Sequence, residues 1–401
     1  MNGTAEWPFL SRLGGACLAA LPLMLASCSS AADEDKGRNA SQLPRPILAE
    51  RSAATRAAGP VFVSLTPIPP SAASRLDRTI ARLGRSFAGD VGIAVRDVQT
   101  GWTSDHRGLD PFPQQSVSKL WVALTAFDQV DRGTLSLDRE VSLTRADLTL
   151  FHQPVRALAL RPGGYRTYAR DLVVRALTQS DNSANDRMLR EVGGPGSIRA
   201  TLAAKAIAGI RFGPGERALQ AKVAGLDWKA DYAVGNRFYE ARDALPRPAR
   251  RAAFDAYTAD PMDGASPLGI VDALARLKQG RLLSQRSTDE MLDIMSHTRT
   301  GANRLKGGLK PGWTLAHKTG TGQILEGEQA GYNDVGILTS PEGRSYAVAV
   351  MIGRTDRPLV QRMALMQKVV TATIDYDRDL ARQREEAPPT PATPLPTDGP
   401  D

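Results

Sequence analysis

Gln115-Ser116-Val117-Ser118-Lys119 sets a serine and a lysine three residues apart at the head of an apolar-periodic run. Leu120, Trp121, Leu124, Phe127 and Val130 keep helical spacing until Gly133, so the pattern predicts a helix with Ser116 at or near its N-terminus. Positions three apart share a helix face, and the unpaired N–H groups of the first turn can meet a developing oxyanion. A serine hydroxyl is a weak nucleophile until a neighbour removes its proton. A lysine one turn away can do so when surrounding cations discourage its own charge. Taken alone the pair is weak, because S-x-x-K arises by chance about half a time in a chain of this composition.

Two further triplets change its weight. Ser180-Asp181-Asn182 and then Lys318-Thr319-Gly320 follow along the chain; chance supplies the first roughly a few hundredths of a time and the second roughly under a tenth. Between them Gly213-Pro214-Gly215-Glu216 leads to Leu219 and Gln220, adding a carboxylate thirty-six residues beyond Ser180. Together these segments resemble the class A β-lactamases. The resemblance spans about residues 90–352 and includes Asn333-Asp334-Val335-Gly336-Ile337, which looks like that family's closing hairpin.

The fold implied is α/β: an antiparallel sheet flanked by helices, plus an all-helical subdomain, with the site in the cleft between them. The residues read the same way on their own. Strands are expected at 91–95 and after Gly101, then at 313–318, 332–338 and 346–352, the last two joined by Pro341-Glu342-Gly343, while helical patterns fill the middle of the chain. Helices are expected from Ser71 as N-cap through Leu76, Ile80 and Leu83, around 169–177, 184–191, 198–206 and 267–278, at 288–297 with Ser287 and Glu290 spaced as a capping box, and at 357–382.

The resemblance implies a role for each matching residue. Ser116 is the nucleophile that becomes acylated, and Lys119 hydrogen-bonds it and serves as its base. Ser180 passes a proton toward the leaving nitrogen, and Asn182 holds substrate and lysine. Lys318 and Thr319 meet the substrate carboxylate, Gly320 lets the backbone approach closely, and Thr321 N–H joins that of Ser116 in an oxyanion hole. Glu216 activates the water that releases the acyl group. Gln220 shares that water, where the family commonly has asparagine; the extra methylene is expected to misplace the water and slow deacylation. As isolated residues, Ser116 reads as a helix cap, Ser180 and Asn182 as turn residues and Glu216 as a solvated loop acid. Asp181 is expected to fix its turn, and His317 to be an exposed strand histidine without a role.

A second departure lies between Gln220 and Ser266, a stretch longer than the family's by roughly thirty residues and more than an ordinary connection. It carries Trp228, Tyr232, Phe238, Tyr239 and the basic Arg247, Arg250 and Arg251. Short helices are expected at 236–244 and 249–257, serving as a lid at the cleft mouth or as a remote decoration.

The ends of the 401-residue chain read differently. Arg12 precedes an apolar stretch at 13–26, too short to span a bilayer comfortably, and Leu25-Ala26-Ser27-Cys28 closes it. That ending resembles a bacterial lipobox, which implies a signal peptide at 1–27 and lipid attachment at Cys28 in an exported, periplasmic, membrane-anchored protein. Cys17 and Cys28 are the two cysteines, so the mature domain keeps no disulfide and no thiol nucleophile. Residues 28–70 read as a flexible tether, 71–384 as the catalytic domain with an insertion at about 221–262, and 385–401 as a proline-rich disordered tail.

A formal charge of +8 without basic–aromatic runs gives no footprint for nucleic acid. G-x-S-x-G, H-E-x-x-H, P-loop and paired C-x-x-C motifs are missing, and four histidines show no zinc spacing, so no metal and no cofactor is implied. The expected activity is that of a monomeric serine β-lactamase acting on a small-molecule β-lactam. The rivals are a penicillin-binding or peptidoglycan-processing D,D-peptidase-like hydrolase and a non-catalytic envelope-binding protein; Glu216 argues against the first and the intact constellation against the second.

Overall fold

The structure, a computed structural model, describes residues 70–386. The export segment, Cys28, all of the expected tether but its last residue, Pro70, and all but the first two residues of the expected tail lie outside the described residues.

Strands from the two ends of the chain make one sheet. β1 (Val91–Asp97) and β2 (Thr103–His106) form the first hairpin; β3 (Thr314–Thr321), β4 (Ile324–Leu325), β5 (Glu328–Thr339) and β6 (Ser345–Thr355) come from the far end. Their order is β2-β1-β6-β5-β3, with the short β4 paired to β5, and every pairing is antiparallel. The junction of early and late sequence is the β1–β6 ladder, which runs from Val91 opposite Ile352 to Asp97 opposite Tyr346.

The central strand β6 is buried over almost its whole length because helices cover both faces of the sheet. Its period-2 alternation divides the core. Tyr346, Val348, Val350 and Ile352 pack with Leu76, Ile80 and Leu83 of the helix Pro70–Ser86 and with Met366, Val369 and Val370 of the helix Leu359–Glu386. Ala347, Ala349 and Met351 belong to the larger core on the other face, with Ile270, Val271 and Leu274 of the helix Pro267–Lys278.

That larger core surrounds the helix Lys119–Asp131, whose first nine residues are all buried. A helix apolar on all sides belongs in the middle of a helical layer. The helices Ala169–Val174, Asn182–Glu191, Gly194–Ala204 and Gln285–Ser296 contribute to the same layer. The expected α/β architecture with a helical subdomain is what the structure shows.

Local expectations differ in three places. The first helix begins at Pro70, so Ser71 lies within its first turn and accepts a hydrogen bond from Gln383 instead of capping; proline at a helix start loses nothing, since its missing N–H would be unpaired there. The capping box at Ser287 and Glu290 does not form. Ser284 is the cap, its hydroxyl accepting from Ser287 N at 3.2 Å, while Ser287 donates to Asp131 at 2.6 Å and Glu290 pairs with Arg170. The last helix starts at Leu359, after Pro358, and continues to Glu386.

Segment 221–262 forms the helices Arg237–Ala244 and Arg247–Ala259, separated around Pro246. Phe254 and Tyr257 pack with Leu219, Val223 and Ala330, and Phe238 and Tyr232 pack with Leu150 and Ala224. Arg247 pairs with Glu326 and Arg251 with Glu328, while Arg354 bridges Glu328 and Asp255. These ion pairs fasten the segment to the β4–β5 side of the sheet.

Candidate active site

The Ser116 segment enters its helix through a 3₁₀ turn, Gln115–Ser118. Gln115 sits at φ +52°, a left-handed conformation that costs a non-glycine residue about 1 kcal/mol or more. The surroundings hold it there. The Gln114 amide donates to Arg211 O at 2.8 Å and Asp263 O at 2.5 Å, and Gln115 N–H donates to the Asp263 carboxylate at 2.7 Å. Ser116 is half-buried at the edge of the cavity.

Lys119 is fully buried, and its Nζ donates to Ser116 Oγ at 2.7 Å, to Asn182 Oδ1 at 2.8 Å and to Glu216 Oε1. An ammonium has three donors and no acceptor, so these three partners use it completely. One side chain joins the first motif, the second motif and the intervening carboxylate.

The second motif follows a single π-helical turn, Arg175–Gln179, after which Ser180 adopts φ +59°. Asp181 caps the next helix, accepting from Ala184 N at 2.9 Å, and also accepts from Val155 N at 2.6 Å. Burial raises its pKa above the ordinary carboxylate value. Asn182 donates to Leu150 O at 2.9 Å, which pins the neighbouring loop. Asp181 therefore organises the turn, as its residue type suggests, while Ser180 and Asn182 reach the cavity.

Glu216 opens the helix Glu216–Val223 and is 3% exposed. Asp186 holds that helix start, its two oxygens accepting from Glu216 N at 2.9 Å and Arg217 N at 3.2 Å. Burial first, and then the Glu216 charge, raise the Asp186 pKa. Gln220, one turn along, donates to Gln115 Oε1 at 2.9 Å and to Glu216 Oε2 at 3.3 Å. Its own oxygens accept from Gln323 at 2.8 and 3.1 Å.

On the third segment, Lys318 is fully buried and donates to Ser180 Oγ at 2.9 Å and Thr319 O at 2.8 Å. Burial, then the nearby Lys119 charge, lowers its pKa well below the ordinary lysine value, with Arg304 adding to the effect. Thr319 shares a hydroxyl contact with Thr300 at 2.7 Å. Gly320 passes so close to the turn before Ser116 that a Cβ there would lie 2.3 Å from Gln114 O. Thr321 lines the cavity and accepts from Arg304 at 2.6 Å.

His317 corrects the sequence reading. It is fully buried, with Nδ1 2.8 Å from Asp334 Oδ1, and is not an exposed strand residue. The lid expectation also changes: the cavity of about 400 Å³ is lined by residues including Ser116, Ser180, Asn182, Gln220, Thr319 and Thr321, with no residue of 221–262 among its described lining.

Several residues at this site escaped the sequence. Arg304 lines the cavity with its guanidinium 3.8 Å above the Tyr332 ring, and it donates to Gly320 O at 2.9 Å and Asn333 O at 2.7 Å. Phe151, His152, Thr300, Gly322 and Gln323 complete the wall. Asp186, Asp263 and Tyr257 act from behind it. None lies in a short motif, so only a contact across the fold identifies them.

The comparisons with known proteins fall on this same region. The sequence model of the beta-lactamase enzyme family matches residues 75–376. Beta-lactamase VEB-1 of Pseudomonas aeruginosa is 27% identical over 287 residues, covering 71% of this chain and 85% of that relative. The crystal structure of a beta-lactamase from Chitinophaga pinensis superposes with a TM-score of 0.62 at 26% identity, covering 75% of this chain and 99% of that one. An ancestral (GNCA) class A beta-lactamase gives a TM-score of 0.60 at 26% identity, over 75% of this chain and 99% of its own.

Proposed function

Since the chain belongs to the beta-lactamase enzyme family, we propose that it hydrolyses the β-lactam amide as a class A serine β-lactamase, through an acyl-Ser116 intermediate that Glu216 helps to hydrolyse. The observation that carries this reading is the buried Lys119 ammonium in simultaneous contact with Ser116 Oγ and the Glu216 carboxylate beside an open cavity.

Ser116, Lys119, Glu216, Ser180 and Lys318 act through the contacts already described. A proton moves from Lys119 to Glu216, and the amine so formed accepts the Ser116 hydroxyl proton as Oγ bonds to the carbonyl carbon. Backbone N–H groups of Ser116 and Thr321 receive the oxyanion. The ring C–N bond breaks as nitrogen takes the proton of Ser180 Oγ, which Lys318 replaces across 2.9 Å. The proton that Lys119 took from Ser116 passes on to restore Lys318, the Lys119 amine takes back the Glu216 proton, and Glu216, ionised again, deprotonates a water that attacks the ester. Oγ leaves with a proton from Lys119, and the ring-opened acid departs. Lys318, Thr319 and Arg304 supply positive charge and donors for the substrate carboxylate.

The proposal extends to the cell and the chain. The protein is exported to the periplasm and held as a monomer by a lipid on Cys28, with 71–384 as its catalytic domain. The apolar stretch at 13–26 and Leu25-Ala26-Ser27-Cys28 support this, and no helix among the described residues is long and apolar enough to cross a membrane. Release from the membrane fraction by Cys28→Ala tests it.

Intact-mass spectrometry after mixing with a penicillin tests the chemistry. An adduct that appears and then disappears, and that is missing in Ser116→Ala, is the expected result. A long-lived adduct indicates the D,D-peptidase-like reading, and a protein that forms none is not a serine hydrolase of this kind.

A further inference from the structure

We infer that Tyr257, from the 221–262 segment, is a positioning residue for deacylation: through Asp263 and Gln115 it fixes the direction of a buried hydrogen-bond chain that ends on the Glu216 carboxylate. The inference rests on the proposed hydrolytic role of Glu216.

The chain is continuous and its polarity follows from one charged end. Tyr257 Oη donates to Asp263 Oδ1 at 3.0 Å and accepts from Gln115 Nε2 at 2.6 Å. Gln115 Oε1 accepts from Gln220 Nε2 at 2.9 Å, and that same amide reaches Glu216 Oε2 at 3.3 Å. An ionised carboxylate only accepts, so Asp263 commits the phenol proton to itself. The phenol oxygen must then receive from Gln115, which turns the Gln115 carbonyl toward Gln220. Gln220 is thereby obliged to present its NH₂ to Glu216 and its carbonyl to Gln323. Reversing any amide would set two donors or two acceptors face to face in a dry site, at a cost of about 1–3 kcal/mol for each unpaired group.

The ends have the right character. Burial raises the Asp263 pKa to about 6, which leaves it ionised at neutral pH. Burial, then the Asp263 charge, pushes the Tyr257 pKa up, so it stays a donor. Asp263 also binds Gln115 N–H at 2.7 Å and so steadies the strained turn before Ser116. The segment thus acts from behind the cavity wall. Its task is to keep a fixed donor on the Glu216 oxygen turned away from Lys119, which leaves the water a defined approach.

The test compares acyl-adduct formation and lifetime by quenched mass spectrometry, with a penicillin as probe, alongside thermal unfolding. Tyr257→Phe keeps the ring and removes the hydroxyl; it is expected to lengthen the adduct lifetime about tenfold, lower kcat and KM together, and leave the acylation rate within about twofold. Asp263→Asn reaches the same hydroxyl from the other side and is expected to lengthen the lifetime similarly. Phe238→Leu loosens the same segment away from the chain and is expected to keep the wild-type lifetime. A wild-type lifetime in Tyr257→Phe or Asp263→Asn overturns the inference, as does an equal lengthening in Phe238→Leu. If Glu216→Gln turns over normally while the wild type forms its adduct, the Glu216 reading falls first and the inference with it.

Discussion

Replacing Glu216 by glutamine separates the two halves of the proposed reaction. The side chain is 3% exposed; Oε1 faces Lys119, and Oε2 faces the Gln220 amide at 3.3 Å. Glutamine has the same shape but cannot take a proton from water. A positioned general base contributes about 10²- to 10⁴-fold, or about 3–5 kcal/mol of barrier, so the acyl-enzyme should live longer by that factor. Acylation has a different fate. An ammonium left without its counter-charge in a dry site gives up its proton more readily, and the amine form of Lys119 still lies 2.7 Å from Ser116 Oγ. The expected trace with a chromogenic cephalosporin is a burst of one equivalent followed by turnover slowed at least a hundredfold, with the adduct visible by intact mass. Breaking a buried ion pair from one side also costs stability, up to about 3–5 kcal/mol and less where the remaining charge is shed, so a lowered melting temperature should accompany the change. Steady turnover within about tenfold of wild type, without a burst, would refute the base assignment.

Three further outcomes follow from the same geometry. Lys318 carries a pKa lowered first by burial and then by Lys119; an anionic substrate favours its charged form, so binding takes up a proton. KM for a penicillin should therefore rise as pH increases through that lowered pKa, with kcat little changed, and a flat KM profile from neutral to alkaline pH would contradict it. Asp263, at about 6 in the fold against 3.8 as its ordinary value, holds a proton in the native state that the unfolded chain has released between those pH values. Native binding of the extra proton means stability falls as pH rises through this window, by about 3 kcal/mol in all; relative to Asp263→Asn, the wild type should gain by up to that amount between neutral pH and about 4, as read from denaturant midpoints, and a constant gap would exclude it. Gln220→Asn retracts the amide from Gln115 and Gln323, stranding a buried acceptor at about 1–3 kcal/mol. It should lower the melting temperature without speeding turnover; a faster and equally stable variant would show that the extra methylene misplaces the water.

The parts of this fold that the sequence discloses are those governed by local period. The helix after Ser116 is legible because Leu120, Trp121, Leu124 and Phe127 repeat within it, and the two late strands because Tyr332–Leu338 and Tyr346–Ile352 are apolar runs divided by a turn. Residues whose role depends on a partner across the sheet are not. His317 reads as an exposed strand histidine, yet Thr319 pairs with Asp334 in the β3–β5 ladder and brings that carboxylate diagonally beside the imidazole. Ser284 and Ser287 both precede acidic residues three positions on or nearby, and only Asp131, 156 residues before Ser287, decides that Ser287 is a ligand and not the cap. At the site, the motifs mark Ser116, Lys119, Ser180, Asn182, Glu216 and Lys318, and the fold brings these together. Tyr257 has no comparable signal, because its partner Gln115 lies 142 residues earlier.

Charge is what suits these pieces to the anionic substrate of the proposed reaction. Arg304 lines the cavity, the buried Lys119 and Lys318 reach its wall through Ser116 and Ser180, and Glu216 is the acid in direct contact with Lys119. The carboxylates behind them are already committed: Asp186 to the helix start, Asp181 to its turn and Asp334 to His317 and Leu305 N–H. Burial of Lys318 without a carboxylate of its own is unfavourable in the free protein, and its lowered pKa is the direct expression of that cost. A substrate carboxylate favours the charged form, so binding draws a proton onto Lys318. In the proposed reaction the acyl carbonyl meets Ser116, the partner of Lys119, while Lys318 stands on the Ser180 side. An anion held at Lys318 thus sets the ring of the proposed substrate beside Ser116 without competing for the proton path between Ser116 and Glu216.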